Sequence, residues 1–236
     1  MAQPHLFLQD EAYQYLEQQI KSGVFEPGKT YSLNAITNLL QMSRTPVRDA
    51  LQKLAQEGLV ENLPSRGFRV KAMSQKQILE LYQIRCAIEG YCCFQLALQC
   101  REPEDAPFYA QLRLNLELQE QIVKQGLGAT KFLEVDRAFH NLLLHRLGNE
   151  ELERIIENYR DRINHFALAS LRRPGLLKQT LLEHGAVAEA VIRREPETAR
   201  TAMVNHMNTA ISPWPPAFRQ SSEENDSEKL ERNEAL

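Results

Sequence analysis

Asp136 and His140 stand one helical turn apart in "KFLEVDRAFHNLLLHRLGN", on a stripe that also carries Phe139, Leu143 and Leu147. A carboxylate and an imidazole therefore point the same way as apolar side chains. Two later imidazoles do the same. His184 shares a stripe with Leu177, Leu181, Ala188 and Val191, and His206 shares one with Ala199, Ala202, Met203 and Ala210. Taken singly, each histidine is best explained as a hydrogen-bonded core residue. Taken together, they change the balance, because a buried carboxylate is costly unless paired or coordinated. One Asp with three His is a donor set suited to a single divalent first-row metal: Zn, Ni, Mn or Fe. His145 projects from the opposite face and reads as solvent-exposed. His165 is ambiguous, since its face carries both Arg162 and Ala169, and Arg137 and Asn141 point partly away from the set. Arg85 falls on the stripe of Ile78, Leu81 and Cys92, with Glu89 one turn later. On a solvated face such a pair contributes only a few tenths of a kcal/mol; here it faces inward.

A second constellation lies upstream, in "MSRTPVRDALQKLAQEGLV". Thr45, Arg48, Asp49 and Gln52 fall away from the apolar stripe of Val47, Leu51 and Leu54, and Arg44 projects from the first turn. A guanidinium can pair with the O6 and N7 acceptors of guanine or hold a phosphate, and a helix N-terminus adds N–H donors. Standing alone, such a face would read as solvation. It is flanked, however, by a short helix before it and a β-ribbon after it with Arg66 and Gly67 at the tip, which completes a winged helix-turn-helix.

The elements that position these residues can be outlined from periodicity. Helices are expected over Asp10–Ser22, Leu33–Leu40 and from an N-cap at Ser43 to Gly58, followed by a hairpin in "LVENLPSRGFRVKA". After "KAMSQ" only helical patterns remain: Gln75–Cys100, Glu104–Gln125, Thr130–Arg146, Glu150–Leu171, Leu176–Arg193 and Pro196–Ile211. Short connections such as "EPEDAP", "GLG" and "RRPG" favour antiparallel packing. The expected fold class is mainly α: a winged helix-turn-helix over residues 9–71 and an antiparallel all-α bundle over 75–211. The acid-rich end, residues 219–236, is expected to be disordered.

The chain has 236 residues, 43% of them hydrophobic, enough for two modest cores. No basic, apolar leader opens it and no apolar run is long enough to span a bilayer, so a cytoplasmic protein without membrane contact is expected. Cys86, Cys92, Cys93 and Cys100 cluster in one helix, which favours reduced packing residues over a disulfide framework. The formal charge is −3, yet residues 43–71 carry six Lys or Arg against three acids, a local basic face.

"IKSGVFEPG", "SRTPVRDALQKLAQEGLV" and "SRGFRV" resemble the DNA-binding domain of the GntR superfamily of bacterial transcription regulators. The resemblance implies that Arg44, Thr45 and Arg48 contact DNA, and that Gly67 lets the wing approach closely. Gln41 stands at a turn position where relatives usually have Gly. The D-x-x-x-H motif, a His about forty residues later, another about twenty beyond that, and "GNEEL" resemble the all-helical effector domain (FCD) of the FadR/VanR branch, whose metal-binding members use this ligand set. That likeness implies an Arg near the cavity, making Arg85 the candidate for clamping an anionic effector.

The expected function is that of a ligand-responsive DNA-binding transcription regulator: a homodimer that binds a double-stranded DNA operator, holds one divalent metal per chain and senses a small organic acid. Two other readings exist: a regulator for which the ion itself is the effector, and a metal-dependent enzyme. Against the enzyme, no separate inward acid or base has a clear role, and the winged helix would be left unexplained.

Overall fold

The computed structural model describes residues 4–21, 23–26, 28–64 and 66–214. They divide into two compact units, one ending at Met73 and the other starting at Ser74. Segment 219–236, expected to be disordered, lies outside the described residues.

The N-terminal unit contains α1 (Pro4–Lys21), β1 (Thr30–Tyr31), α2 (Leu33–Leu40), α3 (Arg44–Gln56), β2 (Val60–Leu63) and β3 (Gly67–Val70). Helix α1 starts at Pro4 rather than near Asp10. Its Ala12, Leu16 and Ile20, at four-residue spacing, meet Ile36, Val47, Leu51, Leu54 and Phe68 in one buried cluster. Ser32 caps α2 by accepting the Ala35 N–H. Ser43 sits at the N-cap of α3 as its type suggests, but its side chain makes no capping bond. One of the usual donors is missing: a capping hydroxyl accepts from the second or third helical N–H, and the third position is Pro46, which has none.

The expected ribbon pairs Val60 with Val70 and Leu63 with Gly67. A third strand, not foreseen, extends it: β1 pairs with β3, Tyr31 opposite Phe68. Phe25, Tyr31 and Phe68 form a ring cluster with centroids 4.6–5.9 Å apart, which seats this strand.

The C-terminal unit consists of α4 (Gln75–Gln99), α5 (Ala106–Gln125), α6 (Gly128–Leu147), α7 (Glu150–Asn158), α8 (Arg160–Leu171), α9 (Leu176–Ile192) and α10 (Pro196–Ile211). A capping box opens α4: Ser74 Oγ accepts the Gln77 N–H at 3.2 Å, and Gln77 Oε1 accepts the Ser74 N–H at 2.9 Å. Helix α10 packs on α4 and α9, α5 on α6 and α9, and α6 on α4 and α8. The single helix expected over Glu150–Leu171 is two, broken at Tyr159, whose φ of −103° and ψ of 0° leave the helical region. No Gly or Pro marks the break, so its pattern read as continuous.

Candidate metal centre and nucleic-acid interface

Four helices each deliver part of a buried polar cluster: α4 brings Arg85 and Glu89, α6 brings Asp136 and His140, α9 brings His184, and α10 brings His206. One ligating atom from each of Asp136, His140, His184 and His206 lies within 4.8 Å of the others. His184 Nε2 is 3.3 Å from His206 Nε2 and 3.7 Å from an Asp136 oxygen. Stacking fixes the rings further: Phe139 lies 4.1 Å from His184 at an interplanar angle of 14°.

The other nitrogen of each ring decides what these atoms can do. His140 Nδ1 is 2.6 Å from Glu89 Oε2 and His206 Nδ1 is 3.0 Å from Glu183 Oε2. An ionised carboxylate only accepts, so each Nδ1 carries a proton, and in the neutral ring each Nε2 presents a lone pair. His184 is fixed by a longer chain. Its Nδ1 is 3.0 Å from Gln119 Oε1, while the Gln119 amide donates to Asn115 Oδ1 at 2.7 Å, and the Asn115 amide donates to the Val135 carbonyl at 3.0 Å. A carbonyl cannot donate, so the whole chain has one polarity, and His184 Nδ1 must be the donor. Three Nε2 lone pairs therefore converge beside a carboxylate. That of His140 is buried without any hydrogen-bond partner. Such a donor set fits a cation and suits little else.

The field agrees with this arrangement. Burial, reinforced by the neighbouring imidazoles and Arg85, holds His184 far below the ordinary imidazole range, and burial also lowers His206. Both favour the neutral, ligating form. Burial opposes ionisation of Glu89, but Arg85 and His140 outweigh it and draw the carboxyl down to about 2.

Arg85 is 4% exposed, and its Nε donates to Glu89 Oε1 at 2.7 Å. The guanidinium borders two small chambers. One, of 30 Å³, is lined also by Glu89, Asp136, Arg137, His140, Asn141, Arg160 and Asn164. The other, of 20 Å³, lies among Tyr82, Thr180, Ser170 and His206, and shares Asp136 and His140 with the first. Arg137 and Asn141, expected to point partly away, do reach the first chamber. Arg160 and Asn164 carried no signal because they follow the unforeseen break in the α7–α8 segment. Glu183, Asn115 and Gln119 were also missed, although the last two sit one turn apart on the buried side of α5. His145 is exposed and bonded to Glu153. His165 is half-buried, its Nε2 enclosed and without a hydrogen-bond partner among the described residues. The cysteines are free thiols, three buried and Cys86 half-buried.

In the N-terminal unit Arg44, Thr45, Arg48 and Gln52 are exposed on α3. Arg44, Arg48 and Gln52 border a groove with Asn34 of α2 and Asn62, Arg66 and Gly67 of the ribbon. Gly67 has φ +116°, and a Cβ there would stand 2.0 Å from the Tyr31 carbonyl oxygen. Its missing side chain is what lets β1 join the ribbon. Gln41 takes the left-handed conformation, φ 52° and ψ 36°, at the α2–α3 turn.

A winged helix-turn-helix with an open arginine-bearing groove, followed by a helical domain with a buried polar chamber, defines a DNA-binding transcription regulator with an effector domain. Residues 8–70 match the gntR family of bacterial regulatory proteins and residues 80–209 the FCD domain, so the chain belongs to the GntR family, in its FCD-bearing form. It is 26% identical over 197 residues to the uncharacterized HTH-type transcriptional regulator YdhC of Bacillus subtilis strain 168, covering 83% of this chain and 86% of that protein. It is 28% identical over 200 residues to the HTH-type transcriptional repressor RspR of Escherichia coli K12, covering 84% of each. The E. coli McbR/YncC structure shares the fold, with a TM-score of 0.58 and 24% identity over 90% of this chain and 97% of that one.

Proposed function

We propose that the helical domain of this regulator holds one divalent transition metal ion per chain through Asp136, His140, His184 and His206, and that the loaded site receives a small carboxylate effector. The observation that carries this reading is the enforced tautomer of three imidazoles, each with Nδ1 donating outward and Nε2 turned toward the same carboxylate. A bound ion supplies a Lewis-acid centre for an oxygen donor. Glu89, Gln119 and Glu183 orient the rings, and Arg85, which borders both chambers, offers a guanidinium donor fork to an anion. In the DNA-binding unit, Arg44, Thr45 and Arg48 are assigned to base edges and phosphates and Arg66 to the backbone, with Gly67 keeping the wing in place. The protein acts as a homodimer in which effector binding alters operator affinity.

Elemental analysis of the purified chain tests the centre. About one divalent ion per chain is expected, reduced by alanine at Asp136, His140, His184 or His206 and unchanged in His145→Ala. Ion content below one-tenth per chain after metal reconstitution would reject the site. The small chambers also suit the reading in which the ion itself is the effector. Operator binding titrated with metal alone, and then with metal plus acid, separates the two.

A further inference from the structure

The two chambers at the metal centre differ in access. The walls of the one beside Tyr82 and Thr180 are buried except at Ala210. The other leads outward, from buried Asp136 and His140 to half-buried Leu133, Arg137, Asn141 and Asn164. An ion coming from solvent to the four ligands would pass this way. The space of 30 Å³ holds about two water molecules, whereas an aqueous divalent ion carries about six. An ion with its shell does not fit, so entry requires a wall to give.

The walls are held unequally. Helices α6 and α8 each bury six side chains, while α7, between them in the chain, buries Ile156 alone, and Ile156 lines this chamber. An element with so few buried apolar contacts belongs to the part of a fold that opens first. Both of its ends are places where a helix can turn. Gly148, left-handed at φ 70°, stands just before the Asn149 cap, and Tyr159 lies outside the helical region. The ion pairs Arg154–Glu151 and Arg160–Glu157 are local, each between residues three apart. The bond that ties α7 sideways to α6 runs from His145, an exposed ring that the metal reading leaves unused, to Glu153. We propose that α7 is the gate of the metal centre, hinged at Gly148 and Tyr159, with Ile156 as its plug and the His145–Glu153 bond as its latch, so that this helix sets how fast an ion enters and leaves. This rests on the metal reading of the site and adds the route to it.

Stopped-flow kinetics on the full chain tests the gate, with Zn²⁺ as the ion and an excess of a chromogenic chelator to read its release. A gate changes rates and leaves the equilibrium alone. Ile156→Ala and His145→Ala should each release Zn²⁺ about fivefold or more faster than the native chain and load it faster by the same factor, with affinity kept within about twofold. His145→Asn, whose amide can still donate to Glu153, should stay near the native rate. Release within about twofold of native in both alanine variants would overturn the proposal while leaving the metal centre standing. Faster release matched by an equal loss of affinity would also overturn it, because that marks a loosened site. Should Ile156→Ala fail to fold, the surface change His145→Ala decides by the same criteria. Hydrogen exchange gives a second readout that needs no metal: amides in residues 152–158 should exchange faster than those in 139–144 and 166–171, and equal protection would contradict an opening helix. A native chain that takes up no Zn²⁺ rejects the metal centre and the gate with it.

Discussion

His165 separates what a helical wheel can and cannot see. Its ambiguous face turns out to be packed, and burial followed by the Arg172 charge lowers its pKa from 6.5 to about 4. A histidine depressed in the folded state binds fewer protons there than in the unfolded chain. Its contribution to stability is intact above about pH 6.5 and is lost as pH falls toward 4, amounting to about 2 kcal/mol at pH 5. Thermal unfolding at pH 7 and pH 5 should therefore show a smaller acid loss in His165→Leu than in the native chain; equal losses would contradict a buried neutral ring. The convergence of Asp136, His140, His184 and His206 was legible, because helical phase alone turns each of them inward. The groups that fix their tautomers were not, since Gln119 and Glu89 meet the rings from helices 65 and 51 residues away in the chain. Phase says which way a side chain points, but it does not say what stands opposite.

Among the elements, the DNA-binding unit turns on two backbone positions. Gln41 adopts a conformation that glycine takes without penalty, so Gln41→Gly should stabilise this unit by about 0.5–1 kcal/mol, visible as a higher denaturation midpoint. Gly67 is the reverse case. Gly67→Ala combines a strained φ with a clash against the Tyr31 carbonyl, and should cost about 2–4 kcal/mol or detach β1 from the ribbon. Loss of the Tyr31 and Phe68 amide protection in hydrogen exchange would report the detachment, and undisturbed protection in that variant would refute the steric account. The long helices and the ribbon were readable because their periodicities run over many residues. Strand β1 was not, because two residues establish no period. Nor was the division at Tyr159, where Ile155, Ile156, Tyr159 and Ile163 keep a helical apolar spacing with no Gly or Pro between them.

For the whole molecule, the charge distribution matters more than the total. A chain of formal charge −3 presents Arg44, Arg48 and Arg66 around one groove, so operator affinity should fall steeply with salt. Arg44→Ala and Arg48→Ala should each weaken binding to a two-fold symmetric site by about 1–3 kcal/mol in mobility-shift titrations. Unchanged affinity in both would remove α3 from the interface. Glu89 carries a different consequence, since it touches the Arg85 guanidinium and the His140 ring at once. If the site holds an ion and an acid as proposed, an acid that draws Arg85 away from Glu89 would change the basicity of the His140 imidazole, and an ion on that imidazole would change how firmly Glu89 holds Arg85. The two equilibria then form a closed thermodynamic square, in which the factor by which metal alters acid affinity must equal the factor by which acid alters metal affinity. Glu89→Gln should bring both factors toward one together, so that a cell's metal supply and its acid supply would cease to be read as a product and be read as two separate signals.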